Sequence, residues 1–271
     1  LGISYFFEHR DGNDVVVFTD NSSGFKPIEG QDLVFMASGE RTGVYELVRE
    51  AQIVPSNFFQ RDYNYRNPSA DLLAEDSFDG FGGGIVEYGA HFKDPDEGKA
   101  IAVVRRQERE CRQLIYRGQS GDPRVSAGMK AKITEHPYGD LEVLPFVVHH
   151  RVRQTALNAG DGTTVAYHNT FEAVPATMTF RPERRTPKPR VTGVVTGIID
   201  SSGPGEYADV DGMGRYRVRF MFDTSGPDEG KASRAVRMMQ PHSGGGYGMH
   251  FPLRRGIEVL ITFLGGDPDR P

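Results

Sequence analysis

Histidine is the residue type in this sequence that most directly suggests chemistry, because eight are present and neutral imidazole is a common metal ligand. Their spacing does not support a metal site. His149 and His150 are adjacent, so on a strand they point to opposite faces, and His242 and His250 flank a glycine-rich loop. No HExxH motif occurs. We therefore interpret the histidines as structural or surface residues and expect no metal and no cofactor.

Two other motifs are similar to ligand-binding loops, but each lacks a required part. The acidic pair Asp209 and Asp211 is followed by a glycine as in a calcium loop, yet a third acidic position and the closing glutamate are missing. The glycines at 244–248 could hold a phosphate only if a helix followed, and the sequence HFP follows instead. No GxSxG motif is found, and no carboxylate pair stands in a recognisable catalytic setting. The sequence thus predicts a turn, a loop and no enzymatic activity.

Nucleic-acid binding is the second chemical possibility. Arg215, Arg217 and Arg219 occupy alternate positions near Tyr247, an arrangement that would suit base stacking in a basic groove. However, residues 191–271 contain nine Lys and Arg against ten Asp and Glu, without the basic excess that such a groove needs. We expect the arginines to pair with acidic residues of a neighbouring strand or subunit. A single-stranded nucleic-acid binder remains a distant alternative, which salt-dependent binding would identify.

Composition sets limits on the class of protein. The 271 residues carry a net charge of −5, and 33 glycines with 17 prolines predict a turn-rich, β-rich fold. The single cysteine, Cys111, excludes an intramolecular disulfide framework and a cysteine-based zinc site. No apolar run approaches the roughly 20 residues of a membrane span. The first residues do not form a signal peptide, and because the chain starts with Leu1 we expect a fragment of a longer protein.

Alternating apolar residues near the C-terminus predict the strands that would carry any functional residues of this part of the chain. Tyr216, Val218, Phe220 and Phe222 share one face of a predicted strand, opposite Arg215, Arg217, Arg219 and Met221. A second predicted strand places Ile257, Val259, Ile261 and Phe263 on one face. Residues 214–271 therefore predict a small, closed all-β unit with irregular loops.

The rest of the chain is also predicted to be mostly strands. An N-terminal hairpin is expected at residues 1–20, because the dipeptide Asp11-Gly12 separates two apolar runs. Further strands are expected at 44–48, 53–65, 114–117, 129–134, 141–153, 165–167 and 176–180, with a loop at 76–84.

One amphipathic helix is predicted over residues 96–113. Asp96 and Glu97 suit the first turn of a helix, and apolar residues then recur at nearly helical spacing. We interpret Arg105, Arg106, Arg109 and Arg112 as a solvated basic face of that helix.

The segment 181–190, RPERRTPKPR, has three prolines and five basic residues, so it predicts a stiff, extended linker and the best domain boundary.

The ordered motifs at the C-terminus resemble a known family. The sequence DGMGRYRVRFMFD at 211–223, the pair Gln-Pro at 240–241, RGIEVL at 255–260 and GDPDRP at 266–271 are similar to the OB domain of the VgrG family, the spike proteins of the bacterial type VI secretion system, and of phage tail-spike relatives. Upstream, GISYFFEH at 2–9 and RDYNY at 61–65 resemble motifs of the same family. The chain departs from the family pattern in having no tryptophan, with Phe222 where tryptophan is usual, and in Ser233-Arg234-Ala235.

This resemblance implies a fold and a domain order. The fold class is mainly β, with a β-barrel hub domain that carries one amphipathic helix and a C-terminal OB-fold barrel. Residues 1–180 would be a phage tail hub-like region, comprising a lateral insert and the second tube barrel, 181–190 the linker and 191–271 the OB-fold spike base. A first hub barrel would precede the chain and a β-helical needle would follow it.

The resemblance also implies a mechanical function and its partners. The chain would be part of the puncturing spike of a contractile injection machine, or, alternatively, a phage or phage-like baseplate hub or spike. The implied partners are two more copies in a homotrimer, an Hcp-like hexameric tube, baseplate proteins, and a PAAR-type tip with effectors. Assembly would occur in the bacterial cytoplasm, before injection and transient passage through a target membrane.

The same resemblance marks residues for subunit contacts or for structural roles, and it implies that polar strand faces of the OB domain bury against neighbouring copies. These signature residues are Arg215, Arg217, Arg219, Gln240, Pro252, Arg255, Glu258, Asp267 and Asp269.

Overall fold

The computed structural model describes residues 2–38, 42–155, 164–225, 230–244 and 246–271. The chain divides into two compact units, residues 1–183 and 184–271, and the division falls inside the proline-rich segment 181–190. No helix among the described residues is both long enough and apolar enough to span a bilayer. The domain identities and limits expected from the sequence stay predictions.

The first unit contains twelve strands and one helix among its described residues. They are β1 (Ser4–Arg10), β2 (Asn13–Thr19), β3 (Lys26–Pro27), β4 (Leu33–Val34), β5 (Val44–Ala51), β6 (Asn57–Arg61), β7 (Leu73–Ser77), β8 (Gly84–Tyr88), α1 (Pro95–Glu110), β9 (Leu114–Ser120), β10 (Met129–Thr134), β11 (Leu141–Thr155) and β12 (Thr164–Pro175).

A seven-stranded sheet forms the body of this unit. Its strands follow the order β3-β10-β11-β12-β9-β5, and β4 also pairs with β10. Alternate residues of the central strands point into one apolar core, as expected from the two-residue repeat of a strand. The buried members of that core are Leu33, Val44, Tyr116, Val125, Ala131, Ile133, Val143, Phe171 and Ala173.

The N-terminal hairpin is present as the sequence predicted. Strands β1 and β2 are antiparallel, and both turn residues, Asp11 and Gly12, have positive φ (50° and 74°), as a type I′ turn requires. Phe6 anchors the hairpin, because it is buried against Phe25 and Leu144 in a second apolar cluster.

Helix α1 covers a small sheet of order β7-β6-β8. Asp94 caps its first turn by accepting a hydrogen bond from the Glu97 N–H at 2.9 Å, and Pro95 follows at the start, where its missing N–H has no cost. The helix is confirmed, but its predicted solvated basic face is wrong for two arginines. Arg105 is only 13% exposed and pairs with Glu108 at 2.5 Å, whereas Arg106 is 17% exposed and pairs with Asp76 at 2.7 Å. Glu108 lies three residues further along the helix, whereas Asp76 comes from strand β7 of the small sheet, which periodicity along the helix could not reveal.

One other prediction in this unit is wrong, and a second is right except at its ends. The strand expected at 176–180 is absent, because the chain turns after β12, where Met178 N–H donates to the Pro175 carbonyl. Phe180 instead stacks on Phe146, with ring centroids 5.2 Å apart. The expected loop at 76–84 overlaps the end of β7 and the start of β8.

The second unit is built on a three-stranded sheet. Its strands are β13 (Val195–Asp200), β14 (Arg217–Phe220), β15 (Ser243–Gly244), β16 (Tyr247–Gly248) and β17 (Glu258–Ile261). The sheet order is β14-β13-β17, and β15 with β16 forms a two-residue hairpin. The buried core consists of Ile199, Tyr216, Val218 and Ile261. Alternation therefore identified the inner faces, except that Phe222 and Ile257 are exposed (73% and 36%).

Candidate functional site

The three alternate arginines of the second unit stabilise the turns on either side of β14. Asp211 accepts hydrogen bonds from the backbone N–H groups of Met213 (2.9 Å) and Arg215 (3.1 Å), and also from the Arg215 guanidinium at 2.6 Å. After the strand, Arg219 donates to Asp223 at 3.1 Å and to the Ser225 carbonyl at 3.0 Å.

The charge states of these aspartates follow from the same contacts. Desolvation acts to raise the pKa of Asp211, but hydrogen bonds from Met213 and Arg215 outweigh it, so the pKa lies below its ordinary value. Hydrogen bonds from Ser225, followed by the charge of Arg219, lower the pKa of Asp223.

The ion pairs of Arg215 and Arg219 are formed with aspartates four residues away in the flanking turns of the same chain. Arg219 also acts on the neighbouring strand β13, where desolvation would raise the pKa of Asp200 but backbone hydrogen bonds and then the charge of Arg219 outweigh it and lower that pKa. Pairing with a neighbouring subunit stays a prediction. Arg217, between Arg215 and Arg219, donates to the Gly230 carbonyl. The aspartate that was weighed as a calcium ligand, Asp211, is a turn residue as predicted.

A polar network at Tyr216 was not foreseen from the sequence. The Tyr216 hydroxyl accepts the Leu253 N–H at 3.0 Å and lies 3.0 Å from His250 Nε2, while Gln240 contacts His250 Nδ1 at 2.9 Å. Gln240 contacts the ring through its amide Nε2, which donates to His250 Nδ1. In this arrangement the hydrogen of a neutral imidazole lies on Nε2, and the second lone pair of the Tyr216 hydroxyl accepts it. Through this hydrogen bond Gln240, a signature residue, attaches the segment that follows Met239 to His250.

The C-terminal GDPDRP motif folds into a compact turn. Asp267 accepts the Asp269 N–H at 3.0 Å, and the Arg270 carbonyl accepts the Leu264 N–H at 2.9 Å. Gly266 has φ +74°, and its carbonyl accepts the Val191 N–H at 2.8 Å, which ties the end of the unit to its beginning.

The remaining signature residues lie apart from this turn. Pro252, Arg255 and Glu258 are exposed, and Arg255 hydrogen bonds through its backbone N–H to Glu206. The structure does not gather the nine signature residues into one cluster, and their assignment to subunit contacts remains a prediction.

The second unit has an exposed apolar groove of about 520 Å³. Its floor is the buried core at Tyr216, Val218 and Ile261, and its rim includes Met239 and Leu260, which are 91% and 72% exposed. Large exposed apolar surfaces indicate contact with another molecule. Among the described residues, no group of three or more His, Cys, Asp or Glu side chains could hold a metal ion.

The chain matches two family models in sequence. The model described as phage tail baseplate hub (GPD) matches residues 1–156, and the one described as type VI secretion system/phage-baseplate injector OB domain matches residues 206–271.

Curated relatives match along the whole chain. The type VI secretion system spike protein VgrG4b of Pseudomonas aeruginosa is 28% identical over 296 residues, which cover 100% of this chain and 36% of that protein. The spike protein VgrG3 and the actin cross-linking toxin VgrG1 of Vibrio cholerae are each 28% identical, with 28% and 26% of their lengths covered. The chain thus spans about a third of the length of the Pseudomonas spike proteins that it matches.

A solved structure supports the fold. The E. coli c3393 protein, described as a type VI secretion component with structural similarity to the T4 tail proteins gp27 and gp5, superposes with a TM-score of 0.56. It is 23% identical, and the match covers 100% of this chain and 55% of that one. The predicted fold class, mainly β with one helix and a C-terminal OB domain, is confirmed.

Proposed function

Because the chain belongs to the phage tail baseplate hub family, we propose that the protein is a structural component of the puncturing spike of a contractile injection machine of the type VI secretion class. The observation that carries this proposal is the order of the two matches, a hub followed by an injector OB domain in one chain. Similarity to VgrG spike proteins over the whole chain supports the same conclusion.

In this proposal residues 1–180 serve as the hub region, 181–190 as a stiff linker and 191–271 as the spike base. Three copies form the base, which caps an Hcp-like hexameric tube and carries a needle, a PAAR-type tip and effectors. Baseplate proteins surround it. The protein assembles in the cytoplasm and leaves the cell only when the sheath contracts, so the chain transmits force and performs no catalysis.

The apolar groove of the second unit fits such an assembly. Its exposed rim at Met239, Leu260 and Leu264 would be unfavourable in an isolated chain, because each side chain leaves apolar area in water. Burial of these residues against neighbouring copies removes that cost. The signature arginines Arg215 and Arg219 would then hold the shape of each copy through their own aspartates, and would not cross to the next copy.

A phage or phage-like baseplate hub is the second candidate, favoured by the description of the matched hub family. Nucleic-acid binding is disfavoured, because Arg215 and Arg219 are 17% exposed and already paired with carboxylates.

The experiment that tests the proposal is the solution mass of the full-length protein, measured by light scattering during gel filtration. Three copies per particle are expected at micromolar concentration. A stable monomer would contradict the spike assignment, and tight binding of single-stranded oligonucleotides that weakens steeply with salt would favour the nucleic-acid alternative.

A further inference from the structure

One face of the long β11–β12 hairpin carries opposite charges at its two ends. Strand register places Arg151 opposite His168, His149 opposite Thr170 and Val147 opposite Glu172. Directly opposed residues of antiparallel strands share a face, so these side chains lie along one side of the sheet. The basic residues are at the outer end and the acidic residue is at the inner end.

The outer end is a two-stranded ribbon formed by residues 151–155 and 164–168. Strand β9 pairs with β12 only from Asn169 onward, and β10 pairs with β11 only at its beginning, so the ribbon strands pair with each other alone. Arg151 and Arg153 are exposed, and neither forms an ion pair among the described residues. Residues 147–155 and 164–171 contain no Asp or Glu. The described strands of the ribbon therefore present two positive charges and no carboxylate.

The inner end is a shallow groove of about 310 Å³ on the outer face of the sheet. Glu46, Glu50 and Glu172 line it around Arg117, which lies 3.3 Å from Glu50 and 3.4 Å from Glu172. Three carboxylates against one guanidinium leave two negative charges uncompensated. Val48, 47% exposed, adds apolar surface to the groove.

We infer that the basic ribbon of one copy docks in the acidic groove of a second copy of this chain. The charges on the described strands of the ribbon and in the groove are opposite in sign, which is the complementarity that selects one partner and one orientation. At about 3.3 Å per residue along a strand, Arg153 lies roughly 13 Å beyond His149, which lines the groove edge, so the outer charge of the ribbon does not reach the groove of its own chain.

Each copy contributes one ribbon and one groove, so the contact joins two different surfaces and repeats from copy to copy. Such head-to-tail contacts form a ring when the rotation between copies closes, and a ring of three copies makes three identical contacts. The inference rests on the proposed function, because it requires an assembly of several copies, and it names the surfaces of the first unit that join them.

The direct test is cross-linking between copies of the full-length protein. The variants Arg153→Cys and Glu50→Cys are co-expressed and mildly oxidised, while the buried Cys111 is left in place. A disulfide-linked dimer that needs both variants is expected. The control replaces Arg153→Cys with Lys93→Cys, an exposed residue outside both surfaces, and no product is expected. If the protein forms trimers but positions 153 and 50 do not cross-link, the inference is overturned.

Charge reversal gives a second, independent test. Reversing the ribbon with R151E/R153E should weaken association of the copies at least about tenfold, in line with the coupling of close charge pairs across interfaces. Combining it with E46R/E50R in the same chain should restore association, since both surfaces then change sign.

The control for charge reversal is K93E/K99E, on residues that are exposed and lie outside both surfaces, and it should leave association unchanged.

The outcomes separate the inference from the function on which it rests. A monomeric wild type would refute the proposed function. If the wild type is a trimer and R151E/R153E assembles equally well, only the ribbon contact is refuted. The same holds if R151E/R153E assembles normally but no longer binds a single-stranded oligonucleotide.

Discussion

Replacing Gly118 with alanine should destabilise the first unit by about 1–3 kcal/mol, because the site has no room for a methyl group. An added Cβ would lie 2.3 Å from Cζ of Phe171 and 2.6 and 2.8 Å from two further ring atoms. Phe171 is 3% exposed and lies in the centre of the core, so its ring cannot swing into solvent. For a unit of this size, a loss of about 2 kcal/mol lowers Tm by roughly 4–8 °C.

The assay is a double-mutant cycle with Phe171→Leu. The smaller side chain leaves space at the ring edge, so Gly118→Ala should cost about 1 kcal/mol less in that background. Urea unfolding followed by far-UV circular dichroism measures each corner of the cycle. Additive effects, or an unchanged midpoint for Gly118→Ala alone, would refute the reasoning.

Four further predictions concern the caps, charges and surfaces of the two units. Asp94→Ala should destabilise the first unit by about 1 kcal/mol in urea unfolding, since it removes the helix cap; an unchanged midpoint would contradict the capping role. The pKa values of Asp211 and Asp223 are lowered in the folded state, so their contribution to stability is present above about pH 4 and is lost as the pH falls through those lower values. Thermal unfolding measured between pH 7 and pH 2 should show a fall in Tm, and the fall should be smaller in Asp211→Asn. Leu260→Ser should weaken association of the copies without lowering Tm, as measured by light scattering across a dilution series. Burial raises the pKa of the Cys111 thiol to about 11, so a thiol reagent at pH 8 should label it slowly in the folded protein and rapidly in urea.

Local pattern was enough to predict the elements whose signals are local. The N-terminal hairpin follows from alternation around Asp11-Gly12, and the helix follows from an acidic start and its spacing. The inner faces of β14 and β17 follow from Tyr216, Val218 and Ile261, all of which are buried.

Elements that depend on distant partners could not be predicted in this way. Strands β7 and β8 fall in and beside a glycine-rich stretch, and they exist because β6 supplies hydrogen-bonding partners on both of its sides. Arg106 is nearly buried because Asp76, thirty residues earlier, neutralises it.

The candidate surfaces also depend on residues that are far apart in the sequence and could not be predicted from local pattern. The Tyr216 network joins residues 34 positions apart, and the acidic groove combines strands that are far apart in the sequence. No spacing rule along the chain links these residues. Recognition of the motifs GDPDRP and RGIEVL, and not periodicity, indicated the family before any geometry was known.

The central claim, delivery by a contractile machine, is tested most directly by where the protein is found. An epitope-tagged full-length protein is followed in cells and in culture medium, with and without the sheath of the machine, and a cytosolic enzyme controls for lysis. The account predicts that the protein reaches the medium only when the sheath is present. Retention in cells with an active sheath, or equal release without one, would contradict it.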